Sequence, residues 1–184
     1  MSIFEIVLLA ITIFVLLSIV WSTVRLGISP MPSSRQARQA MLRFCEEIAD
    51  ETAGPIYELG SGWGNMVVAL AKRYPQRTII AYELSMLPWL VSVLWVKVLG
   101  LRNVQVRRQN FLHADLSDAA VMVCYLYPKG MLNIKDKLNR QAGKVEYVIS
   151  HHFALPSFKP VKTIQLNDLY KTPVYLYRIN TGLF

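Results

Sequence analysis

The sequence predicts an α/β fold, in which helices cover a mostly parallel sheet of about seven strands and an apolar helix precedes them. Three observations predict it. Short strand-like runs alternate with helix-like runs through the middle of the chain, which is typical of parallel sheets. The last two strand-like segments are joined by a short polar turn, which predicts an antiparallel hairpin. The N-terminus carries a long apolar run.

This apolar run is long enough to cross a bilayer. It carries no charge from Ile6 to Trp21, and extending it to Ile3 and Val24 adds only Glu5. A helix of roughly 20 apolar residues spans the hydrocarbon core. A signal peptide would carry a positive n-region and a small-residue cleavage site, and this run has neither. We therefore predict a single-pass transmembrane anchor over residues 1–26, with a buried or interfacial helix as the alternative.

The basic residues predict which side of the membrane the rest of the chain occupies. Arg25, Arg35, Arg38 and Arg43 all follow the apolar run, which favours a cytoplasmic location for the body. The net charge of +8, from 20 Lys and Arg against 12 Asp and Glu, suits anionic headgroups. Nucleic-acid binding is the competing interpretation, but the basic residues are scattered. The expected partner is a lipid bilayer and not a nucleic acid.

After the anchor, residues 27–54 are predicted to form a linker and a helix, and residues 55–184 a ligand-binding domain. Ser33 and Gln36 have capping-box spacing, so the helix should run to about Asp50. Strands are predicted at 55–59, 77–84, 103–108, 119–127 and 144–152, helices at 63–73, 86–99 and 130–141, and hairpin strands within 162–170 and 172–179. This arrangement differs from a dinucleotide dehydrogenase, whose sheet stays parallel through six strands.

The helix-like run "LPWLVSVLWVKVLG" (87–100) is apolar on nearly all sides. It is too short to span a bilayer, so the expectation is a helix buried on the sheet. Contact of its outer side with the membrane or with a second copy is the alternative.

A glycine-rich turn follows the first predicted strand, in "YELGSGWGN". Gly60, Gly62 and Gly64 have the spacing Gly-x-Gly-x-Gly, whereas a dinucleotide fingerprint needs Gly-x-Gly-x-x-Gly. A P-loop would place Lys and then Ser or Thr after its last glycine, and Asn65 stands there instead. The carboxylate of Glu58 would repel a pyrophosphate and attract a cation. The turn therefore predicts a ligand without phosphate.

Two later strand ends carry polar side chains that suit a nucleoside. Glu83 ends the second predicted strand, where an acid accepts hydrogen bonds from ribose hydroxyls. Asn110 and Phe111 follow the third strand, where an amide reads an adenine edge and a phenyl ring covers a base face. Each residue is a weak signal alone. Together they describe a positively charged nucleoside without phosphate, a description that S-adenosylmethionine fits.

The chain resembles the class I S-adenosylmethionine-dependent methyltransferases. "ELGSGWGN" is similar to the first motif of that family, Glu83 matches its ribose-binding acid, and the final hairpin matches its sixth and seventh strands. "AYELSMLPWLVS" and "VMVCYLYPKGMLNIKDKL" resemble membrane-anchored lysine methyltransferases, of the ATP synthase c-subunit and adenine nucleotide translocase type, and their bacterial relatives. The resemblance implies a Rossmann-like sheet, S-adenosylmethionine as cofactor and no metal. The cofactor residues implied are Glu58, Leu59, Gly60, Ser61, Gly62, Gly64, Glu83, Leu84, Asn110 and Phe111.

The methyl acceptor should meet the residues after the fourth strand, which face the methyl group in this fold. Tyr125, Tyr127 and Pro128 are the catalytic candidates, because tyrosine faces hold an ammonium by cation–π attraction. The alternative is a buried strand with aromatic ends. His151 and His152 end the fifth predicted strand, near this site. One of them could act as a base, or both could be structural residues.

The main hypothesis is a membrane-anchored methyltransferase that acts on lysine in a membrane protein. Two alternatives remain open at this point: a methyltransferase for a lipid or quinone-like small molecule, and a non-catalytic nucleoside-binding module for assembly. The degree of methylation and the oligomeric state do not follow from the sequence.

Overall fold

A computed structural model of the chain describes residues 2–26, 33–140 and 145–179. The helices are α1 (Ile3–Leu26), α2 (Arg35–Glu47), α3 (Asn65–Arg73), α4 (Met86–Val98) and α5 (Pro128–Arg140), with a 3-10 helix at Phe111–His113. The strands are β1 (Ile56–Leu59), β2 (Ile79–Tyr82), β3 (Val104–Arg107), β4 (Val121–Cys124), β5 (Tyr147–His151), β6 (Lys162–Gln165) and β7 (Pro173–Arg178).

The seven strands form one sheet in the order β3-β2-β1-β4-β5-β7-β6. Strands β1 to β5 pair in parallel, and β7 runs antiparallel to both β5 and β6. The predicted fold class is confirmed, including the C-terminal hairpin. The strand order reverses between β1 and β4, and in open α/β sheets the ligand lies beyond the carboxyl ends of the strands at such a point.

Both faces of the central sheet are buried. Along β1, Ile56 packs with residues of α2 and α3, while Tyr57 and Leu59 pack with Met131 and Ile134 of α5. A strand covered on both faces is apolar at successive positions rather than at alternating ones. The one charged residue within β1 is Glu58, which is also buried, so its position calls for a chemical explanation.

The N-cap of helix α2 lies one residue later in the chain than predicted. The N-cap is Ser34, whose side chain accepts a hydrogen bond from the backbone N–H of Ala37 at 3.1 Å. The capping-box spacing predicted Ser33 instead, and Ser33 lies beside the cavity described below. Either serine can satisfy a free N–H group of the first turn, so the local pattern does not distinguish them. The linker residues 27–32 and the C-terminal residues 180–184 lie outside the described part.

The expectation that α4 is buried on the sheet is wrong, because much of the helix is exposed. Of its residues, Pro88 and Ser92 are buried, whereas Leu94 and Val98 are 59% and 69% exposed. The helix lies beside β3, the edge strand, and also contacts α3 and α1. Because an edge strand covers only part of a neighbouring helix, the outer side of α4 stays apolar and exposed.

We expect Gly64→Ala to destabilise the fold more than Gly100→Ala does. Both glycines have positive φ, +82° and +62°, so each substitution costs roughly 1–2 kcal/mol of backbone strain. A Cβ at Gly64 would also meet Ser92, with Oγ at 2.6 Å and Cα at 3.1 Å, whereas at Gly100 it would meet no described atom within 4 Å. Overpacking adds about 1–3 kcal/mol. Urea unfolding in detergent measures both variants, and equal losses would contradict the close packing of α3 on α4.

Candidate active site

A cavity lies at the carboxyl ends of β1, β2 and β4, where the strand order reverses. Its empty volume is about 1230 Å³, part of which opens to solvent. The cavity therefore coincides with the position that the fold favours for a ligand.

The glycine turn after β1 forms one side of this cavity. Gly60 and Gly62 have φ of +76° and +53°, which side chains rarely adopt. The backbone N–H groups of Gly60 and Ser61 both donate to the carbonyl oxygen of Tyr82 at 2.9 Å, which fixes the turn to the end of β2. A Cβ at Gly62 would meet no described atom within 4 Å, so here the backbone itself faces open space. Such a turn allows a ligand to approach the main chain closely.

Glu83 connects this turn to the start of α4. One carboxylate oxygen, Oε2, accepts the N–H of Gly62 at 2.8 Å, and the other, Oε1, accepts the N–H of Ser85 at 2.7 Å. The carboxylate is buried and lines the cavity. Each oxygen can accept a further hydrogen bond, because an ionised carboxylate has about four acceptor sites. Glu83 is thus both a structural link and an acceptor at the cavity; its role in binding ribose stays a prediction.

Glu58 is a second buried carboxyl group in the same cavity, and its environment differs from that of Glu83. Burial raises its pKa well above the ordinary value, and the charge of Glu83 raises it further. Its Oε2 atom has no hydrogen-bond partner within the residues that the structure describes. A positive charge nearby would lower the pKa again and stabilise the ionised form. The arrangement suits a ligand that carries a cation.

The residues after β3 lie at a further side of the cavity. Asn110 precedes the 3-10 helix and accepts the N–H of Leu112 on Oδ1 at 3.0 Å. Its amide NH₂ group keeps two donors that can meet a base edge. Phe111 lines the cavity beside it. Their predicted roles toward adenine are compatible with this geometry and stay predictions.

The opposite end of the cavity is aromatic. Tyr125 and Tyr127 line it, and the imidazole of His151 packs on Tyr125 with ring centroids 4.4 Å apart. His151 is buried, and the pKa of its imidazole is lowered to about 4, first by burial and then by the neighbouring His152. His152 adopts a φ of +72°, which is uncommon for a residue with a side chain. At neutral pH His151 is therefore uncharged.

The structure brings most of the predicted site residues to one cavity. Those that line it are Glu58, Gly60, Ser61, Gly62, Glu83, Leu84, Asn110, Phe111, Tyr125 and Tyr127. Three others do not line it. Leu59 points into the core on the α5 side, Gly64 packs against Ser92, and Pro128 is exposed at the first position of α5.

Other lining residues were not predicted. They include Ser33, Met41, Ser85, Gln109 and Asn133. Ser85 and Gln109 immediately adjoin predicted strand ends, so a wider window around each end would have included them. Ser33 precedes the N-cap of α2, Met41 lies in α2 and Asn133 lies in α5, and only the tertiary packing places them here. In residues 2–26, 33–140 and 145–179, no three His, Cys, Asp or Glu side chains are grouped as a metal site requires.

A family model for the ANTKMT methyltransferase domain matches residues 58–162, more than half of the chain. The chain belongs to this methyltransferase family. The match runs from Glu58 in β1 to the first residue of β6 and so includes the whole cavity rim formed by the strand ends. The resemblance to methyltransferases that the sequence motifs indicated is confirmed.

Two curated proteins are similar in sequence to this chain. The methyltransferase is 23% identical over 151 residues to a protein-lysine N-methyltransferase of Saccharolobus islandicus (strain REY15A), with 81% of this chain and 92% of the relative covered. It is 29% identical over 114 residues to the adenine nucleotide translocase lysine N-methyltransferase of Mus musculus, with 60% and 48% covered, so it spans about half of that relative's length.

The fold matches that of an RNA methyltransferase from Salinibacter ruber, solved with S-adenosyl-L-homocysteine. The TM-score is 0.71 at 23% identity, with 84% of this chain and 97% of that chain covered. At this identity the similarity supports the fold alone.

S-adenosylmethionine is the cofactor of the methyltransferase, as its family membership shows. The residues present fit it. The buried Oε2 of Glu58 and Oγ of Ser61 have no partner among the described residues, and the open backbone at Gly62 leaves room for a ligand. When bound, S-adenosylmethionine supplies an electrophilic methyl group on a positively charged sulfur. The enzyme's task is to hold and align this group and to exclude water.

We expect Glu83→Ala to weaken S-adenosylmethionine binding by at least about ten-fold, because a charge-assisted hydrogen bond contributes about 1.5–3 kcal/mol. Asp115→Ala is the matched control. Asp115 also accepts a backbone N–H, from Ser117 at 2.9 Å, but it is exposed and lies outside the cavity lining. Calorimetric titration measures both variants, and unchanged affinity in Glu83→Ala would remove Glu83 from the cofactor site.

We expect Glu58→Gln to change the pH dependence of stability in the protein without cofactor. The folded pKa of Glu58 lies above its unfolded value of 4.5, so the folded state binds more protons in the window above pH 4.5. Stability therefore falls as pH rises through this window. The stability of the Gln variant should not fall in this way. The variant should also bind S-adenosylmethionine more weakly than the unchanged protein does, because it lacks the carboxylate. Parallel stability curves for the two proteins between pH 5 and pH 8 would contradict this assignment.

Proposed function

We propose that this chain is a protein-lysine N-methyltransferase, anchored in a membrane by α1 and acting on a membrane protein from the cytoplasmic side. The observation that carries the proposal is the uncharged aromatic end of the cavity, which Tyr125 and Tyr127 line and where the neutral His151 packs on Tyr125. The names of the two curated relatives, both lysine methyltransferases, support it.

The aromatic end suits an amine as methyl acceptor. A lysine side chain is a slender aliphatic chain with a terminal ammonium, and tyrosine faces attract such a cation. The ammonium must lose its proton before it can act as a nucleophile, and its ordinary pKa is about 10.4. Burial among uncharged rings and a nearby positive sulfur both lower that pKa. An amine held at this end would accept the methyl group that bound S-adenosylmethionine supplies, and the electron pair of the methyl–sulfur bond would remain on sulfur.

His151 supports the aromatic wall rather than the reacting atoms in this proposal. Its ring packs behind Tyr125 and is absent from the cavity lining. A charged imidazole at this position would repel both the acceptor ammonium and the sulfonium. Because burial keeps His151 neutral above about pH 4, the wall adds no positive charge at neutral pH.

Membrane anchoring rests on α1 in this proposal. One helix in the described part is long and apolar enough to cross a bilayer, with its spanning window at Ile3–Val20. That window is not buried inside the protein, unlike a core helix. The arginines that follow α1 favour a cytoplasmic location for the catalytic domain. Tethering raises the effective concentration of membrane targets to roughly millimolar for short linkers, a gain that a soluble substrate would not share.

We expect membranes that contain the full chain to incorporate label from methyl-labelled S-adenosylmethionine into protein, recovered as methyl-lysine after hydrolysis. Tyr127→Ala should lower this rate about 2- to 30-fold, which corresponds to the roughly 0.5–2 kcal/mol of a cation–π contact. Tyr170→Ala is the control, since Tyr170 is 82% exposed and lies far along the chain in the β6–β7 turn.

Three results would contradict the proposal. Label found only in the lipid extract would favour a lipid or quinone-like acceptor, and label found only in nucleic acid would favour an RNA acceptor. Equal rates for the Tyr127 and Tyr170 variants would remove Tyr127 from the acceptor site. The family assignment and the cofactor would stand in each case.

A further inference from the structure

The outer side of α4 forms a continuous apolar row. Met86, Leu90, Leu94 and Val98 recur every four residues, and each is exposed, from 46% at Met86 to 69% at Val98. Residues four apart share one face of a helix. Trp95 widens the row and is 48% exposed. Soluble proteins rarely leave so large an apolar face uncovered, so the row indicates a contact surface.

Helix α1 lies against α4, and only the second half of α1 is partly covered. Residues 2–13 are all exposed, whereas Val15, Ser18, Ile19 and Thr23 are half-buried. The two helices are therefore in contact on the domain side of α1. The first half of α1 projects beyond the rest of the described protein.

The length of this projecting half determines where the bilayer must lie. From Ile3 to Ile13 it provides roughly 17 Å of helix at a rise of about 1.5 Å per residue. The hydrocarbon core is about 30 Å thick. A crossing by α1 must therefore include the half that contacts α4. If the anchor spans the membrane, part of α4 lies at the depth of the near leaflet.

The charges around α4 also suit a lipid surface. From Leu84 to Ala114 the sequence contains Lys97, Arg102, Arg107 and Arg108 and no Asp or Glu. The three arginines are exposed at the edge of the sheet beside α4. Basic residues next to a membrane-contacting helix are attracted to anionic headgroups.

We propose that α4 is a second membrane-contacting helix, lying beside α1 at the boundary between headgroups and acyl chains, with Met86, Leu90, Leu94 and Val98 toward lipid. The occupant of this surface is an anionic phospholipid bilayer. The inference rests on the proposed anchoring by α1, and it extends that proposal by giving the catalytic domain a fixed orientation on the membrane.

A depth measurement with a fluorophore tests this inference on the full chain. Single substitutions Leu94→Cys on α4, Leu9→Cys on α1 and Leu132→Cys on α5 each receive an environment-sensitive nitrobenzoxadiazole label. Leu132 is a matched control, a leucine 46% exposed on a different helix. The native Cys45 and Cys124 are buried and should not react in the folded protein. S-adenosylmethionine binding by each labelled protein checks its fold.

The labelled proteins are reconstituted in vesicles of phosphatidylcholine and phosphatidylglycerol, with bromine atoms on the acyl chains as quenchers. We expect at least about two-fold quenching at positions 94 and 9 and none at position 132. Quenching at position 9, with position 94 behaving like position 132, would overturn the α4 contact and leave the anchor intact. No quenching at position 9 would overturn the anchoring itself. A position 94 label shielded from both bromolipid and aqueous iodide, together with a dimer in sedimentation, would assign the row to a second copy.

Discussion

The two hydrogen bonds that Glu83 accepts hold together the parts on which the cavity depends. The glycine turn belongs to the segment after β1, and Ser85 begins the segment that leads into α4. A buried carboxylate is costly unless its oxygens are hydrogen-bonded, and both oxygens of Glu83 are. These two hydrogen bonds offset the cost of burying the carboxylate, and they also hold the glycine turn next to the start of α4. The shape of the cavity, the position of Gly62 and the start of α4 all follow from this link.

The two carboxyl groups in the cavity have different surroundings. Glu83 is satisfied by the backbone, whereas Glu58 is buried with an oxygen that no described group contacts. Burial raises the pKa of Glu58, and the charge of Glu83 raises it further, so both favour the protonated form of Glu58 unless a cation is near. Perturbed groups of this kind collect at functional sites. A positive charge on a ligand would offset both the cost of burying an ionised Glu58 and its repulsion from Glu83. The cavity therefore favours a positively charged ligand over a neutral one.

Features that depend on nearby residues could be predicted from the sequence, and those that depend on tertiary packing could not. Strands, the hairpin, the glycine turn and Glu83 follow from local patterns and from the rule that carboxyl ends of parallel strands share one edge. The packing of Gly64 on Ser92 joins α3 to α4, and no local pattern reports it. The contact between the rings of His151 and Tyr125 joins β5 to the end of β4 in the same way. The exposure of α4 depends on its place at the sheet edge, which the strand order determines.

The position of α4 links the cofactor site to the proposed membrane surface. Ser85 lines the cavity, and its backbone N–H donates to the carboxylate of Glu83. Met86, the next residue, begins the exposed apolar row. Helix α4 is roughly 20 Å long at about 1.5 Å per residue. If its outer row rests on lipid, the cavity mouth lies within that distance of the headgroups. A methyl acceptor must then reach the aromatic end from the membrane surface or from just above it. This restriction excludes a deep intramembrane residue and favours a side chain that extends a few ångströms from the headgroup level, as a lysine does.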